Sequence, residues 1–234
     1  MPNSFSAFDR PLRRRSFFRV AGAAAAASTL VLSGCGDPGT TTSAPDPVLT
    51  LGSADAGLLN YAYVLEQLET TFYKLVLDTP PADLSAEDKD LLTQIYQHEI
   101  VHREFLLKAL QSAGATPLNT LEFTFTSLTL TTRAGVLAAA RMFEDLGVAA
   151  YNGAAKLFAD ATYLLLLGKI VSVEARHAAL LHDLLQPGSF ADATVVDASG
   201  TFAGLERSLT VAEVIAEVNK YLVIKVSAAG LPTS

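Results

Sequence analysis

One pattern of chemistry-bearing residues occurs twice in this chain, and it limits the fold more than anything else in the sequence. The pattern is a glutamate, a tyrosine seven residues later, and a Glu-x-x-His about thirty residues beyond the first glutamate. The first copy is Glu66, Tyr73, Glu99 and His102; the second is Glu144, Tyr151, Glu174 and His177. The steps between the two glutamates of each copy are 33 and 30 residues. Spacings of three and seven keep side chains on one face of an α-helix. A chain with 11 glutamates and 4 histidines among 234 residues would produce roughly 0.2 Glu-x-x-His pairs by chance. Two of them on alternate helices imply a four-helix arrangement with all eight residues facing one interior.

The hydropathy pattern supplies those helices. Leu58, Ala62, Leu65, Phe72 and Val76 recur three, four or seven residues apart from Asp55 to Leu77, before Pro80-Pro81. Ser85-Ala86-Glu87-Asp88 opens a second helix with an N-cap and early acids, and Gly114 and Pro117 close it. A third helix is predicted over 132–158 and a fourth over 161–186, ended by Pro187-Gly188. Between helices two and three, residues 116–131 alternate threonine with leucine and phenylalanine, which local propensity favours as a strand. Without an obvious partner strand, the segment is read as an extended crossover along the bundle. Residues 188–209 are irregular, and 210–221 form a small fifth helix.

The result is an all-α chain: a four-helix bundle with one long crossover between helices two and three, plus a small C-terminal helix. Two short connections and one long one are the connectivity of ferritin-like bundles. The segments LNYAYVLEQLETTFY (59–73), HEIVHREFL (98–106), FEDLGVAAY (143–151) and VEARHAALL (173–181) resemble bacterial ferritin-like proteins related to the plant desiccation-related proteins. The likeness covers roughly residues 51–187. It implies the fold and a dimetal site, with Glu66, Glu99, His102, Glu144, Glu174 and His177 matching the metal-binding pattern of the superfamily.

The chemistry of the donor set agrees with that resemblance. Four carboxylates offset the charge of two divalent ions, and oxygen and imidazole ligands suit two Fe ions, Mn, or a mixed Fe/Mn pair. The single cysteine excludes a disulfide framework and a thiolate zinc site. No nucleotide-binding glycine loop, nucleophile elbow or zincin motif is present in the sequence. Glu69 is read as lying outside the ligand set, with the alternative that it replaces Glu66. His98 and His182 are read as exposed. Tyr73 and Tyr151 are the candidate catalytic residues, as electron or hydrogen-bond donors, against the plainer reading of core tyrosines with satisfied hydroxyls.

Charge is divided unevenly. Arg10, Arg13, Arg14, Arg15 and Arg19 precede a body that carries, from Cys35 onward, 12 basic and 23 acidic residues. A body of net −11 repels phosphate backbones, which argues against a nucleic-acid partner. Arg14-Arg15-Ser16-Phe17-Phe18-Arg19 resembles a twin-arginine export signal, although Arg13 and Phe18 depart from its usual residues. The apolar run from Val20 to Leu32 is short for a membrane span. Leu32-Ser33-Gly34-Cys35 resembles a lipobox, which makes Cys35 the lipidation site.

The expected organisation is therefore a signal peptide (1–34), a flexible tether (35–50), the bundle (51–187) and a C-terminal extension (188–234). The expected protein is exported to the periplasm or cell envelope and anchored to a bacterial membrane by lipid. Its expected partner is a small oxidant, O2 or H2O2, and a homodimer is left open. Redox chemistry at a dimetal centre is the leading reading. A non-catalytic metal-binding or stress-protective bundle, and a tethered interaction module with a vestigial site, are the alternatives.

Overall fold

The computed structural model describes residues 47–233; the expected signal peptide, lipidation site and most of the tether lie outside them. Strand β1 (Val48–Thr50) leads into α1 (Ala54–Asp78), α2 (Ala86–Ser112), α3 (Arg133–Ala155) and α4 (Ala161–Leu185). A short α5 (Val211–Val218) and strand β2 (Lys225–Ser227) follow. Helix α1 packs mainly on α2, and α3 mainly on α4. The two hairpins meet through α1 and α3, whose inner faces are the most completely buried of the molecule.

The starts of α2 to α5 are each closed by a side-chain cap, whereas Ser53 at the start of α1 makes none. Ser85 and Asp88 form a reciprocal capping box at α2. Asp88 also takes a two-pronged ion pair from Arg133 at 2.7 and 2.8 Å, which ties the start of α2 to the start of α3. That guanidinium, with help from Ser85, lowers the Asp88 pKa to about 2. Thr132 and Asp160 cap α3 and α4, and Thr210 forms a second capping box with Glu213.

The threonine-rich stretch is the extended crossover that its sequence suggests. It lies along α1 because two buried α1 amides serve its backbone. Asn60 accepts from the Leu118 amide at 3.1 Å and donates to the Thr116 carbonyl at 3.2 Å, and Gln67 accepts from Leu121 at 2.8 Å. Its strand propensity is expressed only as an isolated bridge between Phe123 and Leu222. Phe125 then reaches inward, edge-on to Phe72 and Phe143 with centroids 5.7 and 5.8 Å away, the favoured geometry for aromatic pairs.

The last three residues of the expected tether form a strand. Val48–Thr50 pair in parallel with Lys225–Ser227, Leu49 opposite Val226. A three-residue strand has too little pattern to be seen locally, and its partner lies at the far end of the chain.

The C-terminal extension belongs to the bundle rather than hanging from it. The Leu209 amide donates to the Ala149 carbonyl at 3.0 Å, and Val211, Val214, Ile215 and Val218 are buried. Gly153 permits this approach, because a Cβ there would sit 1.7 Å from the Leu209 carbonyl oxygen. That neighbour is backbone and cannot step aside, so Gly153→Ala is expected to destabilise the protein by about 3 kcal/mol. Urea unfolding would measure it, and a loss below ~0.5 kcal/mol would show that the extension is only loosely docked.

Candidate metal centre

The bundle brings all six sequence-marked ligand candidates together. Glu66 comes from α1, Glu99 and His102 from α2, Glu144 from α3, and Glu174 and His177 from α4. The four glutamates are 0% exposed and the histidines 7% and 5%. Ionised carboxylates at that depth are untenable without compensating positive charge.

Two overlapping groups, each of four residues, could hold a metal ion. The first is Glu66, Glu99, His102 and Glu174; the second is Glu99, Glu144, Glu174 and His177. Within each group the donor atoms lie within 4.8 Å of one another. Glu99 and Glu174 belong to both.

The orientation of the donors supports that use. His102 Nδ1 is 2.7 Å from Glu174 Oε1, 3.4 Å from Glu99 Oε2 and 3.6 Å from Glu66 Oε2. His177 Nδ1 is 3.0 Å from Glu99 Oε1 and 3.3 Å from Glu144 Oε2. None of these approaches has the alignment of a hydrogen bond. Both Nδ1 atoms, both oxygens of Glu99 and of Glu174, and Oε2 of Glu66 and of Glu144 are buried without a hydrogen-bond partner. Buried polar atoms without a partner are rare in folded proteins. Eight in one place, converging rather than pairing, are what a cation cage requires, so the residues fit a metal.

The two tyrosines explain which oxygens face inward. Tyr73 donates to Glu144 Oε1 at 2.6 Å, and Tyr151 donates to Glu66 Oε1. Each phenol occupies the outer oxygen and leaves Oε2 for the centre. The pairing is crossed: each tyrosine serves the glutamate of the other helix, not the one seven residues before it. Burial first, and then the charge of the acceptor glutamate, raises both phenol pKa values well above the usual tyrosine range. Both therefore remain protonated donors.

The carboxyl groups respond to burial and to each other. Burial pushes Glu66 up to about 7, although His102 pulls the other way. Glu144 and Glu174 are raised by burial and by Glu99, which is itself held at about 2, in spite of burial, by His102 and His177. Burial opposes charge on the imidazoles, but their carboxylate neighbours win. His177 rises to about 9 through Glu144 and Glu99, and His102 is raised by Glu174, Glu66 and Glu99. In the metal-free protein, protons held by these groups supply part of the positive charge that the cluster needs.

His182 departs from its sequence reading, while Glu69 and His98 keep theirs and add detail to it. Glu69 is only 1% exposed, and its Oε2 is unpartnered; its position one turn beyond Glu66 was the available signal. His98 is exposed as expected, yet its Nδ1 meets His177 Nε2 at 2.9 Å with the rings stacked. It thereby orients a ligand candidate from outside, as outer-shell partners do. His182 is not exposed: it is 1% accessible, and its Nε2 contacts both oxygens of Asp145 at 2.9 and 3.0 Å. Asp145 and His182 stand 37 positions apart on neighbouring helices, so no local pattern reveals the pair.

A helical bundle with one long crossover and a buried carboxylate–histidine cluster defines a class of proteins by itself. The family model for the ferritin-like domain matches residues 54–187, more than half of the chain, and the chain belongs to that family. No curated protein matches it at a significant level.

Proposed function

We propose that this protein holds a dinuclear Fe or Mn centre and uses it for redox chemistry with O2 or H2O2. The observation that supports this most directly is the pair of overlapping donor groups sharing Glu99 and Glu174. Two cations held in overlapping groups would repel each other, and Glu99 and Glu174, common to both groups, would offset that charge. Four carboxylates with two neutral imidazoles match the charge of two divalent ions. When bound and reduced, such a pair supplies the electrons that a dioxygen or peroxide bond needs in order to be cleaved.

The chain's own residues set the conditions. The carboxylates fix the ligand positions, while Tyr73 and Tyr151 hold the outer oxygens of Glu144 and Glu66 and keep a proton near the centre. Packing around the cluster keeps bulk water away. A groove of about 240 Å³ opens beside His102, lined by Phe105, Leu166, Lys169, Ile170 and Val173. Its position suits entry of a small oxidant rather than a bulky substrate. With the arginine-rich start and Cys35, the proposal places the protein in the cell envelope, tethered by lipid.

The test is anaerobic loading with Fe2+ followed by mixing with O2 or H2O2, read as growth of ferric ultraviolet absorbance. The parent is expected to oxidise iron at the centre, and Glu144→Ala about 10- to 100-fold more slowly. Equal rates in the two proteins would refute the proposal. Metal uptake without any oxidation in the parent would replace it with a sequestering or stress-protective bundle.

A further inference from the structure

We infer that Glu69 is a fifth carboxylate ligand of the metal centre, reaching it through the space left by Gly147. The inference rests on the proposed dinuclear centre and adds a residue beyond the six donors of its two groups. Glu69 is 1% exposed on α1, one helical turn from Glu66, and its Oε2 has no hydrogen-bond partner. A buried acid serving only to fill space would be a poor choice, since glutamine or leucine would fill it at lower cost.

Helix α3 makes room for this side chain. A Cβ at residue 147 would stand 2.9 Å from Glu69 Oε1 and 3.7 Å from Glu174 Oε2. The Glu69 carboxyl therefore shares one small space with Glu174, a member of both donor groups. Glycine in a helix interior costs about 1 kcal/mol relative to alanine. Alanine stands at 139, 140, 149, 150 and 154 of the same buried helix. At position 147 alanine would press on Glu69, while its distance to Glu174 would be ordinary contact.

In the described structure Glu69 is outside both four-residue groups. A side-chain rotation toward Glu174 is the move that brings its free oxygen to the ions. The consequence is one of charge. Four carboxylates match two divalent ions, and a fifth compensates the additional positive charge of a more oxidised pair.

The experiment titrates the metal-free full-length protein, Glu69→Gln and Gly147→Ala with Co2+ alone, following stoichiometry, affinity and visible d–d absorption. The expected result is two Co2+ per parent chain and altered d–d bands in both variants. At least one Co2+ should be held about tenfold more weakly or worse. Unchanged bands in Glu69→Gln, whatever the affinity, would overturn the ligand role and reduce Glu69 to a buried charge. Should Glu69→Gln fail to fold, Gly147→Ala decides, because it leaves the carboxyl in place and removes only its room. Folding is monitored by circular dichroism. A parent that binds no Co2+ would refute the dinuclear reading itself. A parent that binds two, with both variants indistinguishable from it, would refute only the role of Glu69.

Discussion

Loading the metal-free protein with Mn2+ at pH 8 is expected to raise its melting temperature by about 10 °C, and the gain should nearly vanish by pH 5. Free metal at a thousandfold excess over Kd adds about 4 kcal/mol, which corresponds to about 10 °C for a domain of this size. The pH dependence follows from the cluster. A group whose pKa is raised by folding adds stability below its unfolded value and loses it as pH rises through the folded one. Glu66 moves from 4.5 up to about 7 and His177 from 6.5 up to about 9. Glu144 and Glu174 move in the same direction as Glu66. The metal-free protein should therefore lose stability steadily from about pH 4.5 to 9. Glu99, held down at about 2, works oppositely, but only below pH 4.5.

Metal ions reverse this trend, because they bind the same groups only after the protons leave. Melting curves with chelator and with Mn2+ should thus diverge between pH 5 and 8, one falling while the other holds or rises. A metal-free melting temperature that climbed across that window would show that the cluster is not storing protons.

The second large effect concerns stoichiometry. Glu174 and Glu99 belong to both donor groups, whereas Glu66 and His102 belong to one, and Glu144 and His177 to the other. Under the proposed two-ion centre, Glu174→Ala is expected to lose both ions, and Glu66→Ala to keep about one. Elemental analysis of protein loaded with excess metal and then desalted would count them. Equal losses in the two variants would mean that the groups do not act as two overlapping sites. A Tyr151→Phe variant should keep both ions, since the phenol touches only the outer oxygen of Glu66.

Much of this was readable before any coordinates. The four helices and the convergence of six donors follow from spacings of three, four and seven, because helical geometry converts such spacings directly into shared faces. Tyr73 lies seven residues after Glu66, which does lie in a donor group, but the hydrogen bond to Glu66 runs from Tyr151. Spacing along a helix says which face a side chain occupies and not which neighbour stands opposite it. The same gap explains His182 and Asp145, and the strand Val48–Thr50 with Lys225–Ser227. These pairings are made by tertiary packing between segments with no periodic relation. Glu69 was legible as a face-mate of Glu66; that it is completely enclosed depends on Gly147 across the helix interface.

The crossed tyrosines carry an implication for how such a molecule can change over time. Each α-hairpin carries a complete copy of the residue pattern, yet neither is self-sufficient, because the phenol that aims its glutamate is lent by the other hairpin. Two copies of one hairpin facing each other would exchange the same loans. The crossed hydrogen bonds are therefore those that a symmetric pair would make, a pattern that gene duplication and fusion would leave behind. Once the copies are joined, losing either tyrosine disturbs the opposite half, so the two halves are constrained to drift together.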